Sequence, residues 1–268
     1  MGLFKELKIL INEYKINPSK RMGQNFLIEN SALEYIKNTI APNKDKLYIE
    51  IGPGFLFLTK KVAQYAKEII AIEKDKRFEP FYRENTPENV KIIINDALKE
   101  NFSSFAATEL FGNIPYNIST DLLIKIANEK NITRSVLLLQ KEFAMRLLAL
   151  PGSKTYSAIT VFIDFFFEKK FLKTFPPHFF YPRPKISSTL IEIRKKRIDE
   201  TIDTELLFKI VRTAFGKRRK KIINPLSEIF GKEKTLEAIN YANIPESARA
   251  ENLDTKAFLL LYEFFKKY

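Results

Sequence analysis

Residues 111–116 read Phe-Gly-Asn-Ile-Pro-Tyr, and they end an apolar run with an amide, a rigid turn and an aromatic ring. The run before them is typical of a buried strand. Pro115 forces the residue before it out of the helical region and breaks the backbone ladder. We therefore expect Asn113 and Tyr116 at the carboxyl end of a strand, which is the edge at which open α/β sheets bind ligands.

This group of side chains suits the exocyclic amine of a planar base. The N6 lone pair of adenine is delocalised into the ring, so the nitrogen is a weak nucleophile unless acceptors hold its hydrogens in a pyramidal geometry. The Asn113 side-chain oxygen and the Ile114 carbonyl are candidate acceptors, and Tyr116 is a candidate stacking partner. Stacking is worth roughly 1–3 kcal/mol, which offsets much of the cost of unstacking a nucleotide. The same residue types also form ordinary turns, so these residues alone do not distinguish a base-binding site from a turn.

The composition restricts the class of protein. Lys and Arg number 45 against 32 Asp and Glu, and the formal net charge of +13 favours a polyanionic partner, either nucleic acid or a membrane surface. The absence of cysteine excludes thiolate chemistry, and a single histidine excludes a multi-histidine metal site. No apolar run approaches the ~20 residues of a membrane-spanning helix, and no signal or transit peptide is visible. We expect a cytoplasmic protein that binds neither metal nor membrane.

A glycine turn follows the first strand of the predicted sheet. Residues 47–51 form a short apolar strand that leads directly into Gly52, Pro53 and Gly54, and helical periodicity follows. Glycine has no Cβ, so this turn brings the backbone close to a ligand. Phe57 replaces the third glycine of the dinucleotide fingerprint, which favours a ligand without a pyrophosphate.

Two carboxylates stand at the ends of the next two predicted strands. Glu73 ends the second strand about twenty residues after the glycine turn, where dinucleotide folds place an acid on a ribose diol. Asp96 follows the third strand, and its expected partner is an adenine amino group. A single acid at a strand end is more often a turn former. Three strand ends and a glycine turn in βαβαβ order favour a nucleoside site instead.

Two loops combine cations with amides or aromatic rings. Residues 19–28 form a basic loop with a glycine and two amides, which is either a solvated linker or a segment that folds over a cofactor and faces phosphates. Residues 176–185 carry four prolines and three aromatic residues beside Arg183 and Lys185. The second loop is therefore suited to present a ring to a base and a charge to its phosphate.

From about residue 198 onward the pattern is entirely helical. Residues 217–221 are five consecutive basic residues, which usually form a solvated surface but favour a grip on phosphates when a base-binding site is near. The predicted fold class is α/β, with a Rossmann-like sheet and a small all-helical C-terminal domain. We place the sheet domain at residues 1–196, including an N-terminal basic segment at 1–28, and a helical RNA-binding domain at 197–268.

The glycine turn, the two strand-end acids and the amide-proline-aromatic motif together fit a nucleoside cofactor beside an amino-bearing base. S-adenosylmethionine fits this description better than a dinucleotide does. Its methyl group is already activated on a sulfonium, so the task of the protein is to position and orient. Neither a general base nor a metal is obligatory, because the proton can leave to water after the transfer.

The sequence also resembles the small-subunit ribosomal RNA adenine N6-dimethyltransferases, the KsgA group, over nearly the whole chain. The motifs that carry the resemblance stand in the family's order: Gln24-Asn25-Phe26-Leu27, Glu50-Ile51-Gly52-Pro53-Gly54, Glu73, Asp96-Ala97, Asn113-Ile114-Pro115-Tyr116 and Phe180-Tyr181-Pro182-Arg183-Pro184-Lys185. A basic motif, Arg218-Arg219-Lys220, occurs where the family carries one in its helical domain. The resemblance implies a Rossmann-like, S-adenosylmethionine-dependent methyltransferase sheet.

The resemblance also implies roles for individual residues. The implied cofactor-binding residues are Gln24, Asn25, Leu27, Gly52, Glu73, Asp96 and Asn113. The implied catalytic residues are Asn113, Ile114, Pro115, Tyr116 and Phe180. Within this group Asn113 and Tyr116 hold the target adenine, and Phe180 closes its other face. The candidate RNA-binding residues are Lys20, Arg21, Arg183, Lys185, Lys217, Arg218, Arg219, Lys220 and Lys221.

Two positions depart from the family pattern. Leu56 stands where a further glycine is common, and Asn95 stands where a glycine usually precedes the third-strand acid. Both flank the expected cofactor site, so they bear on the affinity and the pose of the cofactor.

The implied reaction transfers two methyl groups to N6 of each of two adjacent adenosines in the 3′-terminal hairpin loop of small-subunit rRNA. The expected partners are this rRNA and the pre-small ribosomal subunit, and we expect a monomer. The nearest rival is a large-subunit rRNA adenine methyltransferase of the antibiotic-resistance type. Three features favour the small-subunit group instead: residues 140–142, residues 151–154 and the basic motif. A non-catalytic ribosome-assembly factor is a rival from another class, and the intact 113–116 motif disfavours it. A protein-glutamine or DNA-amine methyltransferase is a weaker third candidate.

Overall fold

The computed structural model describes residues 2–196, 202–218 and 220–268, which form two compact units. The first unit contains the chain up to Ala144 together with Lys169–Lys195. The second unit contains Met145–Glu168 together with the chain from Lys196 onward. Sequence analysis placed Met145–Glu168 in the sheet domain, whereas the structure groups these residues with the C-terminal helices.

Nine strands form two sheets within the described residues. Their bounds are β1 (Phe26–Leu27), β2 (Leu47–Ile51), β3 (Glu68–Glu73), β4 (Val90–Ile94), β5 (Glu109–Asn113), β6 (Arg134–Gln140), β7 (Phe167–Phe175), β8 (Phe180–Tyr181) and β9 (Ser188–Lys195). The large sheet has the order β4-β3-β2-β5-β6-β9-β7, in which β2 to β6 are parallel and β9 is antiparallel to β6. The predicted Rossmann-like α/β fold is confirmed.

The described residues also form eleven α-helices. Their bounds are α1 (Leu3–Tyr14), α2 (Asn30–Ile40), α3 (Phe57–Ala63), α4 (Glu79–Asn85), α5 (Ser119–Asn128), α6 (Lys141–Leu147), α7 (Ala158–Phe166), α8 (Thr204–Gly216), α9 (Ile223–Phe230), α10 (Lys232–Tyr241) and α11 (Thr255–Phe265). Across the described ranges, no helix combines the length and the apolar character needed to cross a membrane.

The point that positions the site is the reversal of strand order between β2 and β5. From β2 the chain adds β3 and β4 on one side of the sheet, and it then returns to place β5 and β6 on the other side. Ile51 on β2 lies beside Gly112 on β5, so the carboxyl ends of these two strands are neighbours. A crevice outside the sheet opens where the strand order reverses in this way.

Gly112 allows β2 and β5 to meet at this point. A Cβ built on Gly112 would lie 2.5 Å from the carbonyl oxygen of Ile51 and 3.1 Å from Cδ1 of Ile114. The first distance is far shorter than any real contact, and the atom it meets is backbone that cannot swing aside. A glycine inside a strand commonly marks such a close approach of another backbone.

A cluster of buried aromatic and aliphatic side chains supports the glycine turn after β2. Phe55 packs edge to face against Phe78 and Phe81, with ring centroids 5.0 and 5.3 Å apart. Leu56 is fully buried in the same cluster although its φ of 60° lies in the left-handed region. Leu56 therefore adopts a backbone conformation typical of glycine and fills the core with its side chain.

The second unit is built on α7, which is apolar around most of its circumference. Phe162 on α7 packs edge to face against Phe208 on α8 at a centroid distance of 5.0 Å. The Tyr156 hydroxyl just before α7 donates to the Leu253 carbonyl at 2.9 Å. An apolar helix requires partners on several sides, and the C-terminal helices supply them, which explains why Met145–Glu168 belongs to this unit.

Replacing Gly112 with alanine should destabilise the protein by roughly 1–3 kcal/mol or more, because the new methyl group overpacks against the Ile51 carbonyl. Chemical denaturation measures the loss. Gly216→Ala is the matched control, since nothing lies within 4 Å of a Cβ there and alanine is the better residue in a helix. Equal stability of the two variants would show that β2 and β5 are not in close contact.

Leu56→Gly separates backbone strain from packing. The change relieves left-handed strain of roughly 1–2 kcal/mol, but it also deletes a fully buried leucine, which typically costs about 2–5 kcal/mol. We expect a net loss of stability in thermal unfolding. Asn243→Gly, at an exposed residue with a φ of 51°, should be neutral or stabilising. A stabilised Leu56→Gly variant would contradict the packing role.

Candidate active site

A cavity of about 290 Å³ lies at the carboxyl ends of β2, β3, β4 and β5. The predicted site residues on its walls are Arg21, Gln24, Asn25, Gly52, Glu73, Asp96, Asn113 and Pro115. Sequence analysis did not single out Met22, Lys74, Asn117 or Ile118, which also line it. The structure thus brings the basic loop, the glycine turn, the strand-end acids and the Asn113 motif around one space.

The glycine turn presents backbone to this cavity. Gly52 and Gly54 have φ values of 70° and 52°, so both adopt a conformation that other residues rarely take. A Cβ on Gly54 would lie 2.9 Å from the Phe26 ring, which means that the turn and the basic loop pack tightly against each other. The Gly52 amide donates to the Ile72 carbonyl at 3.0 Å and ties the turn to the end of β3.

Glu73 is a buried acceptor at the end of β3. Its two carboxylate oxygens accept from the Gly54 amide at 3.3 Å and from the Asp75 amide at 2.9 Å. Burial raises the pKa of the Glu73 carboxyl to about 7, against the effect of these two backbone donors. Each oxygen retains a lone pair for a ligand, so Glu73 can accept from a diol.

Asp96 is the second strand-end acid, and a cation holds it ionised. The Lys74 ammonium donates to Asp96 Oδ2 at 2.6 Å, and the Leu98 amide donates to Oδ1 at 3.1 Å. Burial by itself favours the neutral acid, but Lys74 and the backbone donor hold the pKa of the Asp96 carboxyl below its usual range. The Asn95 side chain accepts from the Asp96 amide at 2.8 Å, so the residue that replaces the family's glycine shapes this turn.

Glu50 is a further buried acid behind the glycine turn. It is 2% exposed, and its Oε2 has no hydrogen-bond partner within the described residues. Burial raises the pKa of the Glu50 carboxyl to about 8, and the nearby charge of Glu73 adds to the effect. Glu50 is therefore mostly protonated at neutral pH.

Gln24 holds the basic loop in place. Its side-chain amide donates to Asp75 Oδ2 at 2.9 Å, and its oxygen accepts from the Ser19 amide at 2.8 Å. Arg77 completes the arrangement by donating to Asp75 and to the Asn17 carbonyl. Sequence analysis expected Gln24 to contact the cofactor, whereas the structure engages both ends of its amide within the protein.

Sequence analysis did not identify the residues that hold Gln24, because none of them belongs to a recognisable motif. Asp75 is 2% exposed, and the Arg77 guanidinium and the Gln24 amide keep the pKa of its carboxyl low despite the cost of burial. The only signal available was an acid two residues after Glu73. From the sequence alone, an acid at this position is explained equally well as a residue that forms a turn.

Asn113 links the strand end to the basic loop. Its side-chain nitrogen donates to the Asn25 carbonyl at 2.8 Å, which fixes the orientation of the amide. No group in the described part of the chain donates to its side-chain oxygen. The Ile114 amide donates to the Leu138 carbonyl at 3.0 Å and extends the ladder one residue past β5. Asn113 therefore presents a fixed, unused acceptor at the rim of the cavity.

Tyr116 lies next to this acceptor and opens a short 3-10 helix, Tyr116–Ile118. It is half-buried, and its hydroxyl lies 3.4 Å from Ser188 Oγ on β9. Burial raises the pKa of the Tyr116 hydroxyl above its ordinary value, so the ring is neutral at physiological pH. Tyr116 is not among the described residues of the cavity wall, whereas Asn113 and Pro115 are, so the 113–116 motif lies partly on the wall and partly beside it.

Leu27 and Phe180 lie in the core instead of at the cavity. The two residues are partners across the small antiparallel sheet of β1 and β8, and they are 6% and 2% exposed. Sequence reasoning missed this sheet because two-residue strands carry no periodicity. The pairing buries both side chains, so neither forms part of the cavity wall within the described residues.

The predicted RNA-binding residues fall on both units. Lys20, Arg21, Arg183 and Lys185 are exposed on the first unit, and Lys217, Lys220 and Lys221 are exposed on the second. Arg218 is partly buried, and Arg219 lies outside the described residues. Within the described chain, no group of three or more His, Cys, Asp or Glu side chains is arranged to hold a metal ion.

Comparison with known proteins identifies the family of this chain. The family model for ribosomal RNA adenine dimethylase matches residues 16–267. The ribosomal RNA small subunit methyltransferase A of Alkaliphilus metalliredigens (strain QYMF) is 33% identical over 272 residues, covering 95% of this chain and 94% of that protein. The protein of the same name from Clostridium acetobutylicum is 34% identical over 260 residues, covering 93% and 94%.

Solved structures show the same fold. A dimethyladenosine transferase from Plasmodium falciparum matches with a TM-score of 0.78 and 24% identity, covering 89% of this chain and 97% of that one. The 23S rRNA methyltransferase ErmE matches with a TM-score of 0.67 and 22% identity, covering 90% and 100%. Together with the match over residues 16–267, these findings show that the chain belongs to the ribosomal RNA adenine dimethylase family, whose methyl donor is S-adenosylmethionine.

Proposed function

We propose that this protein transfers two methyl groups from S-adenosylmethionine to N6 of each of two adjacent adenosines in the 3′-terminal hairpin loop of small-subunit rRNA. Its substrate would be the pre-small ribosomal subunit in the cytoplasm, and it would act as a monomer. The family membership and the small-subunit relatives support the substrate class. The observation that carries the proposal is the fixed, unused acceptor of Asn113 at the rim of a cavity that contains the two strand-end acids.

The walls of the cavity fit S-adenosylmethionine. Glu73 and Asp96 are acceptors for ribose hydroxyls and for an adenine amino group, and the glycine turn offers backbone without a Cβ. Arg21 and Lys74 also line the cavity and Lys74 pairs with Asp96, so the two carboxylates act here as hydrogen-bond acceptors and not as a net negative charge. When bound, the cofactor supplies an activated methyl group on a sulfonium.

The residues of the chain would position the base, and the proton of the methylated amine would pass to water. Asn113 would accept a hydrogen bond from the target amine through its side-chain oxygen, with the Ile114 carbonyl as the second acceptor. Tyr116 would stack on the base, and its neutral hydroxyl adds no charge near the amine. The predicted role of Phe180 on the other face of the base requires its ring to leave the core, and that role stays a prediction.

The candidate site residues would divide between cofactor and RNA. Asn25, Gly52, Glu73, Asp96 and Asn113 would contact the cofactor, while Gln24 and Leu27 would hold the loop that covers it. The exposed cations Lys20, Arg183 and Lys185 lie on the same unit as the cavity and would contact phosphates of the RNA.

A large-subunit rRNA methyltransferase is the second candidate. The structural likeness to ErmE is at 22% identity and supports the fold alone, whereas the two relatives at 33% and 34% identity are named for the small subunit. The decisive experiment incubates the protein and labelled S-adenosylmethionine with unmethylated small and large subunits and maps the label. Dimethyladenosine in the 3′-terminal hairpin of the small subunit supports the proposal. Label confined to the large subunit, or absent from adenosine, overturns it.

Asn113→Ala should lower the rate of methylation by at least about a hundredfold, because a preorganised hydrogen-bonding group at a reacting centre is worth about 10²–10³ in rate. RNA binding should be nearly unchanged, since Asn113 carries no charge. Asn38→Ala, at an exposed position on α2, is the matched control and should be fully active. Wild-type rates for Asn113→Ala would remove this residue from the mechanism.

The affinity for S-adenosylhomocysteine should depend on pH through Glu73. Burial raises the pKa of this carboxyl to about 7, and a ribose diol needs the ionised acceptor. Above pH 7 the Glu73 carboxyl is mostly ionised and the affinity should be constant. Below pH 7 the affinity should fall by up to about tenfold per pH unit. Isothermal titration calorimetry between pH 5.5 and 8.5 measures this, with Glu73→Gln as the control, which should bind weakly and show no such slope. A flat wild-type profile would contradict the role of Glu73.

A further inference from the structure

The first helix, α1, lies outside the part of the chain that matches the family model. It spans Leu3–Tyr14, whereas the match begins at residue 16. Membership of the family therefore assigns no role to this helix, and its own contacts and exposed side chains are the evidence for one.

The buried face of α1 fixes the helix to the first unit. Leu7 and Ile11 are 0% and 8% exposed and belong to the cluster that supports the glycine turn. At the C-terminal end of the helix, the Tyr14 ring packs edge to face against Phe81 at a centroid distance of 5.2 Å, and the Tyr14 hydroxyl donates to Glu84. These contacts anchor the helix along its length, so its first turn projects from a rigid support.

Phe4 and Lys8 stand on the exposed side of α1. The Phe4 ring is 41% exposed, and it meets the Tyr181 ring of β8 at a centroid distance of 5.5 Å and an interplanar angle of 59°. The Lys8 ammonium, one turn along the helix, lies 4.6 Å from the centroid of the Phe4 ring. Two helix residues and one residue of a distant strand thus form an exposed surface, which we term the aromatic platform.

The aromatic platform is joined to the candidate active site through the small sheet. Tyr181 is the cross-strand partner of Phe26, and Phe26 lines the cavity. Two residues after Tyr181 the chain exposes Arg183. The platform therefore lies one strand away from a wall of the cavity, on the same unit, with a second cation close by in the chain.

The side chains of the platform match the two parts of a nucleotide. An exposed aromatic ring stacks on a base, and a cation beside the ring can contact the phosphate. In the described part of the chain, neither Lys8 nor Arg183 has an acid within ion-pair distance. Lysine has a flexible stem, so Lys8 can leave the face of the Phe4 ring to a base and turn to the phosphate. The formal net charge of +13 favours a polyanion as the source of that nucleotide.

The substrate supplies a base that needs such a partner. An enzyme that methylates a base takes the base out of its stack, and this step costs free energy. When one of two adjacent adenosines enters the base site, its neighbour loses a stacking partner. The Phe4 ring can replace that partner and offset part of the cost of unstacking.

We propose that the aromatic platform binds an unpaired nucleotide of the substrate RNA next to the target adenosine. The Phe4 ring, supported by Tyr181, stacks on the base, and Lys8 contacts the phosphate. The proposal rests on the proposed function for the identity of the polyanion. Because the platform lies outside the cavity and does not touch the reacting amine, it contributes to the affinity for RNA and not to the rate of the methyl transfer step.

Stacking is tested by comparing an aliphatic with an aromatic replacement of Phe4. The full-length protein is titrated into labelled, unmethylated small subunits. Phe4→Leu should raise the Kd about tenfold, whereas Phe4→Tyr should stay within about twofold of the wild type. The single-turnover rate of methylation at saturating protein should be unchanged in both variants, since neither alters the cavity.

Ile9→Ala is the matched control, because it shortens another apolar side chain of α1 that is 46% exposed, and it should bind like the wild type. Thermal unfolding shows beforehand that each variant is folded. A wild-type Kd for Phe4→Leu, or an equal loss of affinity in Phe4→Tyr, would overturn the stacking role.

The role of Lys8 is tested by the salt dependence of the same binding. Lys8→Gln should weaken binding about threefold near 0.15 M salt and reduce the slope of log K against log salt by about 0.7, the value for one phosphate of a single strand. Lys91→Gln, at an exposed lysine on β4, is the matched control and should change neither quantity. An unchanged slope for Lys8→Gln would refute the phosphate contact.

The position of the nucleotide is tested by photo-cross-linking. The full-length protein with p-azidophenylalanine in place of Phe4 is irradiated on unmethylated small subunits. We expect a cross-link to a nucleotide of the 3′-terminal hairpin of the small-subunit rRNA. Cross-links to ribosomal protein alone would assign the platform to a protein partner and overturn the proposal, as would the absence of any cross-link.

Methylation by the wild type keeps the two possible failures apart. A wild type that leaves adenosine in small-subunit rRNA unmethylated would overturn the proposed function and this proposal with it. An active wild type whose Phe4→Leu and Lys8→Gln variants bind normally would overturn only the aromatic platform.

Discussion

The close approach of β2 and β5 at Gly112 is the constraint on which the site depends. The Ile51 carbonyl occupies the space that a side chain at position 112 would need, so the two strands can run side by side only with glycine there. Because the strand order reverses at this pair, their carboxyl ends open onto one crevice. The glycine turn after β2 and Asn113 at the end of β5 thereby become neighbours, although about sixty residues of sequence separate them. The chemistry of each motif is ordinary on its own, and their juxtaposition produces a site.

A second consequence concerns charge. The chain carries a formal net charge of +13, yet the cavity wall holds two acids, Glu73 and Asp96, beside two cations, Arg21 and Lys74. Glu50 is buried behind the glycine turn. Burial keeps Glu50 mostly neutral and leaves Glu73 near its titration point, while Lys74 keeps Asp96 ionised. Lys20, Arg183 and Lys185 are exposed cations on loops of the first unit. A basic protein can therefore attract a polyanion and still offer carboxylate acceptors in its cavity.

The sequence predicted most of the sheet because its strands have strong signals. β2, β3 and β5 are short apolar runs that end in glycine, acid or amide. Contacts between distant segments were not predictable. The sheet of β1 and β8, which buries Leu27 and Phe180, has only two residues in each strand, and the bonds of Gln24 to Ser19 and Asp75 depend on how the basic loop folds back. The grouping of α7 with the C-terminal helices was not predictable, because an apolar sequence pattern does not show which elements a helix packs against. One feature of the sequence indicated the left-handed conformation of Leu56, which was the expectation of a glycine at this position from the resemblance.

The central claim is that the strand ends around Asn113 form one nucleoside site beside one base site. The most direct test is a crystal structure of the protein with S-adenosylhomocysteine. The account predicts that the ribose hydroxyls lie within hydrogen-bond distance of the Glu73 carboxylate, that the adenine amino group faces Asp96, and that the sulfur lies on the side of the cavity formed by Asn113. A ligand bound elsewhere, or bound here with Glu73 and Asp96 uncontacted, would contradict it.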